Sequence, residues 1–281
     1  MKFDAFKSIF KVVAEKILHL QKGVAFLKIF LMAGTEDGRK LAEFLLNNGY
    51  EITASVVSDY GKKLLAQYQN ISINNKKLDA AELAEFLTVG KFAALVDASH
   101  PYAVEATKNA VDACAKVNIP YLRFERAAGN YELLNAFHFS SYEDAAIKAA
   151  ELGKNIFLTT GSKTLKIFVE LLKGCNITAR VLPTAEVLAQ CEKLGLTPKQ
   201  IIAMQGPFST ELNIEMYKQA RAEVIVTKDG GTIGGADTKI AAAQILNLPV
   251  VIIDRPKIFY PNVAATFDAV LTFLKNHSSI M

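Results

Sequence analysis

The sequence has little of the chemistry that marks several large classes of protein. Its 281 residues include only three cysteines, which stand far apart, form no C-x-x-C pair and have no histidine nearby at metal-ligand spacing: Cys114, Cys175 and Cys191. A sparse, odd set of this kind is typical of reduced structural thiols in a cytoplasmic protein. The sequence therefore predicts neither a disulfide framework nor a metal site.

No run of basic residues stands out either. Lys and Arg together number 32 against 28 for Asp and Glu, a net charge of +4, and the basic residues are scattered along the chain. A nucleic-acid-binding surface would normally show a basic stripe with interleaved aromatic residues. We therefore expect no nucleic-acid partner, while the mild positive charge suits an anionic small ligand.

Long hydrophobic runs are missing as well, even at the apolar N-terminus. Between residues 1 and 26 the apolar side chains fall at helical spacing, but charged residues such as Lys7, Lys11 and Glu15 interrupt every window. A membrane span needs about 18 uninterrupted apolar residues, so no transmembrane segment is predicted. We expect an amphipathic helix packed on the body of the protein; a helix that binds a membrane surface or a partner is the alternative.

What the chain does contain is a regular alternation of short apolar runs and longer amphipathic stretches. Such alternation predicts parallel strands, buried on both faces and joined by crossover helices. The predicted strands are 28–34, 51–57, 92–98, 119–124, 155–161, 177–183, 201–206, 223–228 and 249–254. A polar interruption places a domain boundary near residue 135. The sequence thus predicts an α/β protein with a helical extension over 1–26 and two doubly wound domains, over 27–135 and 136–281, that enclose an inter-domain cleft at their strand ends.

Glycine-containing turns follow several predicted strands and open helices. Three of them are 33-AGTEDGR-39, 158-LTTGSKTL-165 and 227-TKDGGTIGG-235. Their glycines allow close backbone approach and helix N-termini attract anions, while Arg39, Lys163 and Lys228 add positive charge. The composition suits phosphate or carboxylate binding, although an ordinary strand-to-helix turn, with Ser162 as a simple N-cap, would look similar.

A fourth strand end, DASHPYA, concentrates hydrogen-bonding side chains. Asp97 stands directly behind an apolar run, where a carboxylate is costly to bury unless it is paired or reaches the open strand end. His100 and Tyr102 add a group that ordinarily titrates near neutrality and a phenol. As a structural alternative, Pro101 starts the following helix and Ser99 or His100 caps it. A serine nucleophile is not favoured, because the chain has no G-x-S-x-G elbow.

Taken in order, seven blocks of the sequence resemble the precorrin-6A reductase family of cobalamin biosynthesis, including its cobalt-precorrin-6A branch. The blocks are AGTEDGR (33–39), DASHPYA (97–103), TTGSKTL (159–165), RVLP (180–183), QGPFS (205–209), TKDGGTIGG (227–235) with Lys239 following, and PVVIIDRP (249–256). Among the departures, Ser99 stands where Thr is usual and Thr238 replaces an acid. The resemblance does not reach the first 25 or so residues, so it implies nothing about them.

The resemblance implies a two-domain, Rossmann-like enzyme that uses NADPH to reduce one double bond of a corrin precursor rich in carboxylates, giving the precorrin-6B form. Hydride transfer of this kind needs no metal or nucleophile of the protein's own. The residues expected to serve it are Asp97, His100 and Tyr102 in catalysis; Gly34, Thr35, Gly38, Arg39, Gly161, Ser162 and Lys163 in cofactor binding; and Ser99, Gly206, Pro207 and Lys228 in substrate binding.

Two other functions fit the same pattern of strand-end turns. One is a non-redox binding protein whose two domains close on an anionic ligand, and the other is a cofactor-free tetrapyrrole enzyme such as a cyclising synthase. Binding of NADPH would distinguish the reductase from both. Arg39 and Lys163 suit the 2′-phosphate of NADPH, whereas Asp59, after the second strand, points towards NADH. The proton donor, the presence of cobalt in the substrate and the oligomeric state stay open.

Overall fold

The computed structural model describes residues 27–126, 135–230 and 236–277. The helix predicted over residues 1–26 lies outside the described residues. The described residues form two compact units, one made of 27–126 with 257–277 and the other of 135–230 with 236–256. No helix within these described stretches is long and apolar enough to cross a membrane.

The first unit begins with five strands and four helices in strict alternation. They are β1 (Lys28–Met32), α1 (Glu36–Asn47), β2 (Glu51–Ser55), α2 (Asp59–Leu65), β3 (Ile71–Asn74), α3 (Ala80–Val89), β4 (Ala94–Asp97), α4 (Val104–Val117) and β5 (Tyr121–Phe124). All four residues of β4 are buried, as are all four of β5. A strand buried on both faces is what a parallel sheet between helix layers requires.

The second unit has six strands and five α-helices. They are β6 (Ala136–Phe139), α5 (Tyr142–Leu152), β7 (Asn155–Leu158), α6 (Leu165–Leu171), β8 (Asn176–Val181), α7 (Ala185–Lys193), β9 (Ile201–Ala203), α8 (Thr210–Gln219), β10 (Val224–Lys228), α9 (Ala236–Ile245) and β11 (Val250–Ile253). The chain then forms β12 (Val263–Ala264) and α10 (Phe267–His277), which belong to the first unit.

The two sheets have the same strand order. The edge strand of the first sheet, β12, follows the second unit in the chain, whereas β6 directly precedes the other strands of the second sheet. The orders are β12-β5-β4-β1-β2-β3 and β6-β11-β10-β7-β8-β9, and every neighbouring pair is parallel. This is the order of a Rossmann fold. The prediction of two parallel-sheet, Rossmann-like α/β domains is confirmed.

The C-terminal segment differs from the predicted division of the chain, which assigned all of 136–281 to the second domain. Residues 257–277 pack with the first unit instead. The reason is that Val263 and Ala264 pair with the edge of β5, while Val270 and Leu274 of α10 are buried in the first unit's core. Pairing and burial together fix the segment there.

Each sheet has one point at which strands are added in opposite directions. In the first unit this switch lies between β1 and β4, and in the second it lies between β7 and β10. The loops that leave the carboxyl ends of these strands diverge, and ligands of open α/β sheets bind in the space so formed. The turns predicted from the sequence follow these four strands.

Candidate active site

The loops after β1 and β4 are joined by Thr35. Its hydroxyl accepts a hydrogen bond from the Gly38 N–H at 3.0 Å, which caps α1, and donates one to the Ala98 carbonyl at 2.8 Å. Both contacts are partly buried. They support a role for Thr35 in shaping the turn that was predicted to hold a cofactor.

The two glycines of this turn have different structural roles. A Cβ on Gly38 would lie 2.8 Å from the Ala33 Cα and 3.2 Å from the Ala98 carbonyl oxygen, so only glycine lets α1 pack this closely on the strand ends. Around Gly34 no described atom lies within 4 Å of the corresponding position. The Gly34 backbone is therefore open to a ligand, whereas Gly38 serves packing, as the last glycine of a dinucleotide-binding turn does.

The first turn of α1 also carries two acids. Glu36 pairs with Lys40 at 2.7 Å, and this hydrogen bond lowers the pKa of Glu36. Asp37 lies 3.1 Å from Arg126, yet burial raises the pKa of Asp37 overall. Arg39 follows them, half-buried, in the same turn of the helix. The positive charge of Arg39 therefore stands beside two carboxylates at the N-terminus of α1 and partly offsets them.

Asp97, predicted as catalytic, is completely buried at the end of β4. Its carboxylate accepts hydrogen bonds from the Ser99 N–H at 2.9 Å, the Thr107 hydroxyl at 2.8 Å and the Tyr121 hydroxyl at 3.0 Å. Arg123 forms an ion pair with it at 3.1 Å. With these four partners inside the protein, the geometry supports Asp97 as a residue that positions the following loop rather than one that contacts a ligand.

Arg123, like Thr107 and Tyr121, belongs to this network but was not included in the sequence-based site prediction. Its side chain is 1% exposed and donates to Glu125 at 2.8 Å and to the hydroxyl of Ser99 at 3.3 Å. Burial and the negative charge of Asp97 raise the pKa of Tyr121, which keeps its phenol protonated as a donor. The signal was present in the sequence, because a lone Arg within the apolar run YLRF requires a buried partner.

The structural alternative predicted for the loop after β4, in which Pro101 starts the helix and Ser99 or His100 caps it, is not what the structure shows. Pro101 does not start the helix, because residues 100–103 form a turn closed by the Ala103 N–H and the His100 carbonyl at 2.8 Å. The helix begins at Val104, and its N-cap, Ala103, provides no side-chain hydrogen bond. Neither Ser99 nor His100 therefore caps it.

His100 and Tyr102 lie together on this turn. The Tyr102 N–H donates to His100 Nδ1 at 3.3 Å, and the two ring centroids are 5.4 Å apart. His100 is exposed and Tyr102 is half-buried. Both side chains therefore stand at the carboxyl end of β4, at the switch point of the first sheet.

The turn after β7 has the features of an anion site. Gly161 has a φ of 79°, and no described atom lies within 4 Å of its Cβ position. The hydroxyls of Thr160 and Thr164 are buried and have no hydrogen-bond partner among the described residues. Buried polar groups are normally satisfied, so these hydroxyls are suited to a ligand oxygen beside the exposed Lys163.

Ser162 lies in the same turn but does not cap a helix with its side chain. It begins a 3-10 turn, Ser162–Thr164, that leads into α6, and neither this turn nor α6 has a side-chain cap. The Ser162 carbonyl accepts a hydrogen bond from Gln190 at 3.2 Å, which fixes the turn against α7. The simple N-cap alternative for Ser162 is therefore wrong.

The predicted substrate residues of the second unit lie at the ends of β9 and β10. A Cβ on Gly206 would lie 3.0 Å from the Phe208 ring, and the Gly206–Pro207 peptide is cis. Lys228 ends β10, with its ammonium 5.2 Å from the centre of the Tyr142 ring. Burial and the positive charge of Lys163 lower the pKa of Lys228 to about 8.

Both the sequence and the fold of this chain are similar to those of known proteins. Residues 28–275 match the sequence model of the family described as Precorrin-6x reductase CbiJ/CobK. The chain belongs to this family. The resemblance drawn from the seven blocks is confirmed, as is the prediction of an oxidoreductase.

Relatives within the precorrin-6x reductase family cover nearly the same residues. The "Cobalt-precorrin-6A reductase" of Priestia megaterium is 42% identical over 253 residues, which are 89% of this chain and 99% of the relative. Its namesake from Methanocaldococcus jannaschii is 35% identical over 252 residues, with the same coverage of both chains. A solved structure of "CobK precorrin-6A reductase" superposes with a TM-score of 0.76 over 90% of this chain and 97% of its own, at 24% identity. At that identity the superposition shows the fold.

Proposed function

We propose that this protein reduces one double bond of cobalt-precorrin-6A or precorrin-6A with NADPH, giving the corresponding precorrin-6B in cobalamin biosynthesis. The observation that carries the proposal is the family match over residues 28–275. The relatives at 42% and 35% identity both have cobalt in their names, whereas the "Precorrin-6A reductase" of Rhodobacter capsulatus is 26% identical over 253 residues, 90% of this chain and 97% of its own. This difference favours the cobalt-containing substrate.

Within each unit, the turn at the switch point fits a phosphate group of a nicotinamide dinucleotide. Open backbone at Gly34 and Gly161 admits phosphate oxygens, and the buried hydroxyl of Thr160 lacks a partner among the described residues. When bound, NADPH supplies the hydride. The chain's own turns bind and orient it, with Arg39 and Lys163 as the cations nearest in sequence to those glycines.

The reduction also consumes a proton, and His100 and Tyr102 are the candidates to deliver it. The Asp97–Arg123 network holds the loop that carries them, so their positions depend on buried contacts. Histidine ordinarily titrates near neutral pH, which suits a proton donor. A His100→Ala variant with the full kcat and an unchanged pH profile would remove histidine from this role and leave Tyr102 or water.

The function is tested by incubating the protein anaerobically with NADPH and each substrate, with and without cobalt, and following NADPH absorbance. We expect oxidation of NADPH that depends on the corrin, faster with the cobalt form, and slower with NADH in place of NADPH. Binding is measured separately by titrating NADPH with the protein and following NADPH fluorescence. Folded protein that binds neither nucleotide would contradict the proposal and favour a cofactor-free function.

A further inference from the structure

Three cationic side chains gather at the carboxyl end of the second sheet. Arg180 lies on β8 and is 6% exposed, Lys228 ends β10, and Lys239 lies in the first turn of α9. Burial, and then the positive charges of Arg180 and Lys228, lower the pKa of Lys239 to about 8. Burial also lowers the pKa of Arg180. Like charges assembled against their own repulsion and desolvation are characteristic of functional sites.

A buried amide holds the cluster together. Asn213, fully buried on α8, accepts a hydrogen bond from Arg180 at 2.7 Å. Its amide nitrogen lies 3.4 Å from the Thr238 hydroxyl, and the Tyr217 hydroxyl donates to the Lys239 carbonyl at 3.3 Å. These bonds fix the first turn of α9 beside Arg180. Because the partner of Arg180 at 2.7 Å is a neutral amide, this contact leaves the guanidinium charge uncompensated.

Apolar side chains lie at the same end of the second sheet as these cations. The Phe208 ring stacks 4.3 Å from the Arg180 guanidinium carbon. Leu182 and Met204 follow β8 and β9, where they are 51% and 41% exposed, and the Met204 N–H donates to the Val181 carbonyl at 3.0 Å. The end of the sheet therefore combines an exposed apolar surface with fixed positive charge.

We propose that Arg180, Lys228 and Lys239 bind peripheral carboxylates of the corrin substrate, whose ring face lies against Leu182 and Met204. This inference rests on the proposed function. A flat macrocycle with a carboxylate rim needs an apolar surface bordered by cations, which is what these five residues provide. Phosphates of the cofactor share the anionic chemistry, but the open glycine turn after β7 offers them backbone N–H donors.

The test compares Lys239→Met and Asn213→Asp with the control Lys218→Met, a surface lysine of α8 paired with Glu215 at 2.9 Å. Asn213→Asp is nearly isosteric and places a carboxylate against Arg180, so it weakens anion binding without removing a cation. We expect each test variant to raise the KM for the corrin, and the Kd for the stable polycarboxylate probe uroporphyrin III, about tenfold. The Kd for NADPH and all values for Lys218→Met should change less than about twofold.

Two outcomes would overturn the inference. If NADPH binding weakens while uroporphyrin binding does not, the cluster binds cofactor phosphate. If neither changes in folded variants, judged by their melting temperatures, the cluster binds neither ligand and any uroporphyrin site lies elsewhere. Wild-type protein that binds uroporphyrin through the cluster but oxidises no NADPH would instead contradict the proposed function and leave this inference standing.

Discussion

At the scale of single residues, the buried contacts of Asp97 favour a positioning role over the catalytic role predicted from the sequence. Its partners Thr107, Tyr121 and Arg123 are all buried. We expect Asp97→Asn to lower the free energy of unfolding by about 3–5 kcal/mol, because it leaves Arg123 without half of its buried charge compensation. Glu105→Gln, which removes a surface pair with Lys77 at 3.4 Å, should cost about 0–1 kcal/mol. Urea denaturation measures both.

The Asp97→Asn variant also distinguishes a positioning role for Asp97 from direct contact with the substrate. If Asp97 positions the loop that follows β4, Asp97→Asn should lower activity because the loop is less ordered. In that case kcat should recover in part when ligand or low temperature stabilises the protein. An Asp97→Asn protein with native stability and no activity would contradict that role and restore direct contact with substrate.

Lys239 gives a second residue-scale prediction, which concerns pH. Burial and the charges of Arg180 and Lys228 lower its pKa in the folded protein from 10.5 to about 8. Between these values the unfolded chain holds more protons, so the folded state is penalised below pH 8 and the penalty fades as the pH rises to about 10.5. An anion reverses the effect, because it favours the protonated lysine.

Anion affinity should therefore fall as the pH rises through 8. We expect the Kd of uroporphyrin III to increase about tenfold between pH 7 and pH 9, as the fraction of protonated lysine drops. Lys239→Arg keeps its charge over this range, so the Kd of this variant should depend less on pH. The pH dependence that remains is attributable to Lys228. Absorbance titrations at three pH values test this, and a Lys239→Arg profile as steep as that of the wild type would contradict it.

At the scale of elements, the stability of the strand–turn–helix unit of β1 and α1 depends more on Gly38 than on Gly34. We expect Gly38→Ala to destabilise the protein by about 1–3 kcal/mol, because the new methyl group meets backbone that cannot rotate away. This outweighs the gain of about 1 kcal/mol that Ala ordinarily brings to a helix. Gly34→Ala has space and should change stability by less than about 0.5 kcal/mol.

Gly34→Ala, compared with Gly38→Ala, also tests whether NADPH binds against the turn after β1. If NADPH phosphates contact the Gly34 backbone, Gly34→Ala should weaken NADPH binding at unchanged melting temperature. Calorimetric melting with and without NADPH separates the two effects. Equal NADPH affinity in Gly34→Ala and the wild type would place the phosphates at another turn.

Elements could be predicted from the sequence where the hydrophobic signal was strong. Each of the nine predicted apolar runs overlaps a strand, because central parallel strands bury both faces. No comparable run marks β3, β6 and β12, since β3 and β6 contain no fully buried residue and β12 has only two residues. Asn213 and Lys239, which join the Arg180 cluster, come from separate helices that only the fold brings together.

At the scale of the whole molecule, the first unit is built from two separate parts of the chain, residues 27–126 and 257–277. β6 completes the sheet of the second unit, and β12 completes the sheet of the first. The strand order of each sheet is that of a separate Rossmann fold, so the pattern of the sequence does not show which sheet β12 joins. A single boundary near residue 135 therefore missed the return of the chain at 257.

Because residues 257–277 pack with the first unit, a mutation in this segment should destabilise the first unit rather than the second. Leu274 is 2% exposed and packs in the core cluster that contains Leu41 and Phe124. We expect Leu274→Ala to cost about 2–5 kcal/mol through the cavity it leaves, whereas Lys275→Ala, on the exposed side of α10, should be nearly neutral. Hydrogen exchange should rise in peptides of β1 and β5 and stay low in β7 and β10. If protection were lost first in β10 and β11, the C-terminal helix would belong to the second unit, as the sequence alone predicted.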